Sequence, residues 1–135
     1  MNDAEAEIQK ARVMAEYHRW SEPLGMGYQR HVEFSWHRGP IPDHSKAAMV
    51  CTARWQYKTA TIDVELTRIE RMSDGELEFC IVHEIMHVFM GGLIEAFNAG
   101  VDGPAFRMIE EHTATTLAQA VMWLRAHCEP DDPAA

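Results

Sequence analysis

The stretch SDGELEFCIVHEIMHVFMGG, residues 73–92, constrains this chain more than any other. Ser73 followed by Glu76 is a capping box, which predicts that a helix starts here. At 100° per residue, Leu77, Phe79, Ile81, Val82, Ile85, Met86, Val88 and Phe89 point in nearly every direction. A helix that is apolar all round must be buried. The rest of the chain therefore has to cover it on several sides. With 135 residues, 47% of them apolar, there is enough for one core and too little for two.

The covering elements can be read from period and punctuation. Residues 3–20 are rich in Ala, Glu, Lys, Arg and Gln, and they predict an amphipathic helix with Ile8, Ala11, Ala15 and His18 or Met14 on its inner face. Pro23 and the glycines of SEPLGMG end it. Three runs then alternate with period two: 28–37 (Val32, Phe34, Trp36 against Glu33, Ser35, His37), 47–57 (Met49, Cys51, Ala53, Trp55, Tyr57) and 59–66 (Ala60, Ile62, Val64, Leu66). Such alternation predicts a sheet with one covered face. Gly91-Gly92 is expected to stop the buried helix, with 93–103 as loop or broken helix. Asp102-Gly103-Pro104 opens a last helix to about residue 127. The expectation is an α+β fold in one domain over residues 1–128, with 129–135 as a flexible tail.

Composition removes several function classes. The formal net charge of −9 gives no general attraction to a phosphate backbone, so no nucleic-acid partner is expected. No apolar run is long enough to span a bilayer, so no membrane partner is expected either. The acidic N-terminus lacks a secretory pattern. Three unclustered cysteines, Cys51, Cys80 and Cys128, suit free thiols in a reducing compartment. An intracellular, cytoplasmic protein follows as the expectation.

The buried helix also carries chemistry. His83 and His87 are one turn apart and point the same way, so two imidazole nitrogens can meet one Zn2+ at about 2.0–2.1 Å. Glu84 lies 100° round, near a metal-bound water but off the ligand direction, where a carboxylate can act as general base. Buried without partners, these three side chains would each be costly. Hydrogen-bonded core histidines remain the plainer reading. A closed Cys80-His83-His87 site is also conceivable, although Cys80 lies a turn back on a short side chain and the site would leave Glu84 without a role.

A catalytic zinc has three protein ligands and an open position. The last helix offers Glu110, Glu111 and His112. Taking Phe106, Thr113, Ala114, Leu117, Val121 and Leu124 as its apolar face puts Glu110 near the centre, Glu111 at an edge and His112 on the solvated side. Amphipathicity thus favours Glu110.

The order of strands, His83-Glu84-Ile85-Met86-His87 on a helix, and a glutamate on a later helix resembles the zincin metallopeptidases of gluzincin type. Over residues 47–125 the chain looks most like the small single-domain minigluzincins and ImmA/IrrE-like peptidases, including phage-encoded ones. The resemblance implies a minimal zincin-like fold: an N-terminal helix, a small three-stranded mixed sheet, an active-site helix and a C-terminal glutamate helix. It implies a hydrolase, a zinc metallopeptidase acting on a peptide or protein substrate, with His83 and His87 as zinc ligands. Glu84 would be the base that activates water. Small residues three and seven positions after the ligand glutamate fit Ala114 and Ala118, so the resemblance points to Glu111, with Glu110 as the alternative that stays beside the site. Thr115, four residues after Glu111, would bond a zinc histidine. By the same resemblance strand 59–66 would be the edge along which an extended peptide pairs. An oxyanion-stabilising side chain could be Tyr17, Tyr28, Tyr57 or His112. The other function class is a zincin-fold binding or structural module, phage or toxin–antitoxin associated, that keeps zinc without turnover.

Overall fold

The computed structural model describes residues 1–24, 31–54, 59–97 and 103–128. Among them are four helices and a three-stranded mixed sheet: α1 (Asp3–Ser21), β1 (His31–His37), β2 (Met49–Arg54), β3 (Thr59–Glu65), α2 (Leu66–Glu70), α3 (Asp74–Phe97) and α4 (Gly103–Cys128). The class is α+β. No helix among these residues is long and apolar enough to cross a membrane. The expected tail, 129–135, and the expected strand ends at 28–30 and 55–57 lie outside the described residues.

α1 starts on a reciprocal cap. Glu5 N–H donates to Asn2 Oδ1 at 2.9 Å, and Asn2 N–H donates to Glu5 Oε2 at 2.7 Å. Its buried face is Ala6, Val13, Tyr17 and Trp20, whereas Ile8, Ala11, Ala15 and His18 face outward. The expected inner face is therefore corrected by a rotation of the helix; of the residues expected there, only Met14 packs against the core. Val13 and two aromatic rings remove far more apolar area from water than Ile8 with two alanines. Tyr17 packs edge-on against Phe34 at 5.0 Å, and Phe34 stacks on Trp36 at 5.3 Å.

The sheet order is β1-β3-β2. β1 runs parallel to β3, and β2 runs antiparallel to it. β3 is thus the central strand, and Ala60, Ile62 and Val64 are buried. This overturns the expectation that 59–66 is the edge strand: both sides of its ladder are taken. A parallel pair cannot be closed by a tight turn, so β1 reaches β3 through a connection that contains β2.

α2 was not anticipated. Its five residues follow β3 directly, and Glu65 caps them: the buried carboxylate accepts from Thr67 N–H at 3.1 Å and from the Thr67 hydroxyl, and pairs with Arg68 Nε at 3.1 Å. Arg12 closes the link to α3, donating to Ile69 O at 2.9 Å, to Met72 O at 2.7 Å and to Asp74 Oδ1. The guanidinium thus ties α1 to the carbonyls that follow α2 and to the first turn of α3.

α3 begins at the expected capping box. Ser73 N–H donates to Glu76 Oε2 at 2.7 Å, and Glu76 N–H to Ser73 Oγ at 3.2 Å. Leu77, Ile81, Val82, Ile85, Met86, Val88 and Met90 are all buried, as an all-round apolar helix requires. The helix does not stop at Gly91-Gly92 but continues to Phe97. Gly91 serves close approach instead, because a Cβ there would lie 2.6 Å from the Ala53 Cβ on β2. Helix propensity alone says that Gly91→Ala gains about 1 kcal/mol. Overpacking against β2 reverses the sign, and we expect a net loss of about 1–3 kcal/mol in urea unfolding; a stabilised variant would mean that α3 and β2 are not in contact there.

Candidate metal centre

Two contacts set the geometry of the last two helices. Glu78 on α3 accepts from Arg125 on α4 at 3.0 Å, and His87 on α3 meets Glu110 on α4 at 3.0 Å. Numbers rise along one helix as they fall along the other, so the helices are antiparallel. The Glu78 end is tied further by Trp20, which donates Nε1–H to Glu78 Oε1 at 3.1 Å while Arg125 lies 4.7 Å over its ring.

The rotation of α4 comes from its small residues. Ala114 and Ala118 are fully buried, whereas Leu117 and Leu124 are 40% and 52% exposed. The expected apolar face is corrected accordingly; Phe106 and Thr113 have side chains outside the described residues. Alanines let two helices approach closely, where leucines would hold them apart. That approach brings the acidic pair of α4 onto the histidines of α3. Burial ranks the pair as amphipathicity would, with Glu110 23% and Glu111 62% exposed. Geometry separates their contacts differently.

His83 and His87 direct their Nε2 atoms at one point, 3.0 Å apart. Glu111 reaches both, with Oε2 3.3 Å from His83 Nε2 and Oε1 3.1 Å from His87 Nε2. These three residues offer ligand atoms within 4.8 Å of one another and could hold a metal ion. The outer nitrogens are occupied separately. His87 Nδ1 donates to Glu110 Oε1 at 3.0 Å, and His83 Nδ1 lies 3.3 Å from Thr115 Oγ1. Cys80 is not part of the group. Thr115 and Glu110 thus stand behind one ring each, and Glu111 stands between the rings.

The donor set fits a divalent cation. A carboxylate can only accept, so Glu110 keeps the His87 proton on Nδ1 and leaves Nε2 as a bare lone pair. That lone pair faces an imidazole nitrogen and a carboxylate oxygen, and such a cluster repels itself unless a proton or cation lies within it. Donors around a tetrahedral ion at about 2.0–2.1 Å are separated by about 3.3–3.4 Å, close to the spacings of 3.0, 3.1 and 3.3 Å seen here.

Glu84 sits beside this group at only 6% exposure. Burial pushes its carboxyl up to about 7; His87 and a backbone hydrogen bond from Cys51 pull it down, and Glu111 and Glu110 push it up. His87 loses proton affinity to burial but gains more from Glu110, Glu84 and Glu111, and ends above its ordinary value. Burial and His87 hold His83 below its own. Burial also raises both thiols, Cys51 and Cys80, with Glu84 adding to each.

A test follows from Glu84 in the metal-free protein. Its folded pKa lies above its unfolded one, so the native state holds its proton more tightly and stability falls as pH rises from about 4.5 through about 7. Stripped of metal, wild type should lose up to about 3 kcal/mol more than Glu84→Gln between pH 5 and pH 8 in urea titrations. Parallel curves would mean that Glu84 is not buried as seen.

The remaining expectations divide plainly. Tyr17 belongs to the core under Phe34, with Ser21 hydrogen-bonded to it, and so takes no part in the site. Tyr28, Tyr57 and the side chain of His112 lie outside the described residues. Sequence reasoning missed that Cys51 lies near Glu84; strand alternation set Cys51 on one face with Met49 and Ala53, but no local signal tells which helical residue lies beneath it. No protein-family model matches the chain, and no curated protein and no solved structure matches it either.

Proposed function

We propose that this chain is a zinc-dependent metallopeptidase of gluzincin type, built on a minimal zincin-like fold. The observation that carries the reading is the convergence of His83 Nε2, His87 Nε2 and the Glu111 carboxylate, each within 3.3 Å of the next, beside the buried Glu84. In this reading His83, His87 and Glu111 hold Zn2+. When bound, the ion supplies Lewis acidity, polarising a peptide carbonyl and acidifying a water. Glu84 takes the proton from the attacking water and returns it to the departing amine. A carboxylate held beside the reacting water can accept its proton and pass it on. Glu110 keeps His87 in the tautomer whose Nε2 is free, and Thr115 orients His83; such partners fix ring direction and basicity.

A peptide substrate cannot pair with β3, which is flanked on both sides. The strand edge beside the site is that of β2, on which an extended backbone could add as a further strand.

The direct test combines metal analysis with digestion of a peptide library. Expected are zinc bound to the purified chain, cleavage that stops on chelation, and recovery on adding zinc back. Zinc binding without cleavage of any peptide would favour the other class, a zincin-fold binding or structural module. Failure to bind zinc at all would remove both.

A further inference from the structure

α4 is held against α3 with little apolar area. Among its described side chains only Ala114 and Ala118 are buried; Val121 and Met122 are half-buried, and Leu117, Trp123 and Leu124 are exposed. Two methyl groups allow a close approach, but they withdraw little area from water and fix rotation weakly. Side-chain bonds at two places add what the alanines lack. One is the His83–His87–Glu111 group, with Thr115 and Glu110 behind the rings. The other lies at the far end of α4, around Glu78.

Three helices meet at that carboxylate. Glu78 Oε1 accepts from the buried Trp20 indole on α1 at 3.1 Å and from Arg125 Nη1 on α4 at 3.0 Å. Arg19 Nη2 lies 3.6 Å from the same oxygen. The Arg125 guanidinium also sits 4.7 Å over the Trp20 ring, a cation–π contact. Bonds between charged partners are the stronger kind, and the Glu78 and Arg125 side chains are only 19% and 29% exposed. Arg125 follows Glu111 by almost four full turns of one helix. The two side chains therefore leave α4 within about 40° of each other, roughly 21 Å apart along its axis. A helix held from one side at both ends resists rotation. A turn that freed Arg125 would carry Glu111 off the two imidazoles by the same angle.

We propose that Glu78, joined to Trp20 and Arg125, is a positioning residue for the metal centre. From the far end of α4 it sets the rotation that puts Glu111 between His83 and His87. Trp20 makes the anchor firm, since it belongs to the buried core and ties the node to α1. Glu110 lies 100° round from Glu111 on α4, and the same rotation keeps it behind His87. With the node broken, α4 samples other rotations. Zinc then binds only the fraction in which Glu111 faces the rings, and its affinity falls by that fraction. This consequence rests on the metal centre proposed above; the hold on α4 does not.

Two measurements separate these. Amide hydrogen exchange in the metal-free protein reads the hold on α4. In Glu78→Ala the amides of residues 110–118 should exchange at least about tenfold faster than in wild type, with those of residues 81–88 on α3 unchanged. Glu78→Gln, whose amide oxygen still accepts, should restore part of the protection. Equal exchange over 110–118 in wild type and Glu78→Ala overturns the proposal. Zinc affinity, by competition with a chromophoric chelator, reads the consequence. It should be about tenfold weaker in both Glu78→Ala and Arg125→Ala. Arg12→Ala is the structural control, because its bonds join α1 to the chain after α2 and to the first turn of α3. It should lower stability in urea and keep the zinc affinity of wild type. Unchanged zinc affinity in Glu78→Ala, or an equal loss in Arg12→Ala, would overturn the positioning role. If wild type binds no zinc, the metal reading fails, and exchange over 110–118 still decides the hold on α4.

Discussion

Glu84→Gln is expected to retain the zinc of the wild type and to cleave peptides about 100- to 10,000-fold more slowly, the range lost with a general base. His83→Ala is expected to lose both metal and cleavage. The two variants separate because the side chains do different work in the proposed site. His83 is a donor to the cation, one of three whose nitrogens and oxygens lie within 3.3 Å of their neighbours. Glu84 lies beside that group, and glutamine is close to it in size and shape. The amide cannot take a proton from water at neutral pH, so the base is removed with little change in packing. Metal content by atomic spectroscopy and initial rates on one cleaved peptide measure both arms. If Glu84→Gln cleaves as wild type does, Glu84 is not the base. If His83→Ala keeps zinc with unchanged affinity, the metal is elsewhere.

The second large effect distinguishes two adjacent glutamates. Glu111→Ala should abolish zinc binding at concentrations that saturate wild type, because it removes one of three protein ligands. Glu110→Ala should weaken zinc by about 10- to 100-fold, the usual cost of removing the partner that orients a ligating histidine. The difference is one of contact: Glu111 reaches both Nε2 atoms, whereas Glu110 touches only Nδ1 of His87. Competition with a chromophoric chelator gives both affinities on one scale. A reversal, with Glu110→Ala the more damaging, would reassign the third ligand to Glu110.

Much of this was legible in residue order. Ser73 and Glu76 marked the start of α3, and the all-round apolar pattern required its burial. The one-turn spacing of His83 and His87 put two imidazoles on one side. Period two located three strands, and a glycine–proline pair opened α4 where it begins. Each is a local relation, and local geometry alone enforces it. The misreadings have a common origin. Gly91 looked like a helix stop because glycine commonly is one, yet here it is a contact with Ala53 on another element. The apolar face of α4, drawn through Ala114, Leu117, Val121 and Leu124, holds at Ala114 and Val121 and fails at Leu117 and Leu124, which are exposed while Ala118 is buried, because the approach of α3 rewards small volume.

By itself, then, the sequence determined that a buried helix would carry His83, Glu84 and His87, and that an acidic pair would follow on a later helix. Only the tertiary structure decided which glutamate stands between the histidines and which behind one of them. It also decided that β3 is central. Glu110 and Glu111 differ by 100° on one helix, so their roles depend on the rotation of α4 against α3. That rotation is set by contacts between residues about 30 apart in sequence, such as His83 with Thr115, and no periodicity within either helix records them.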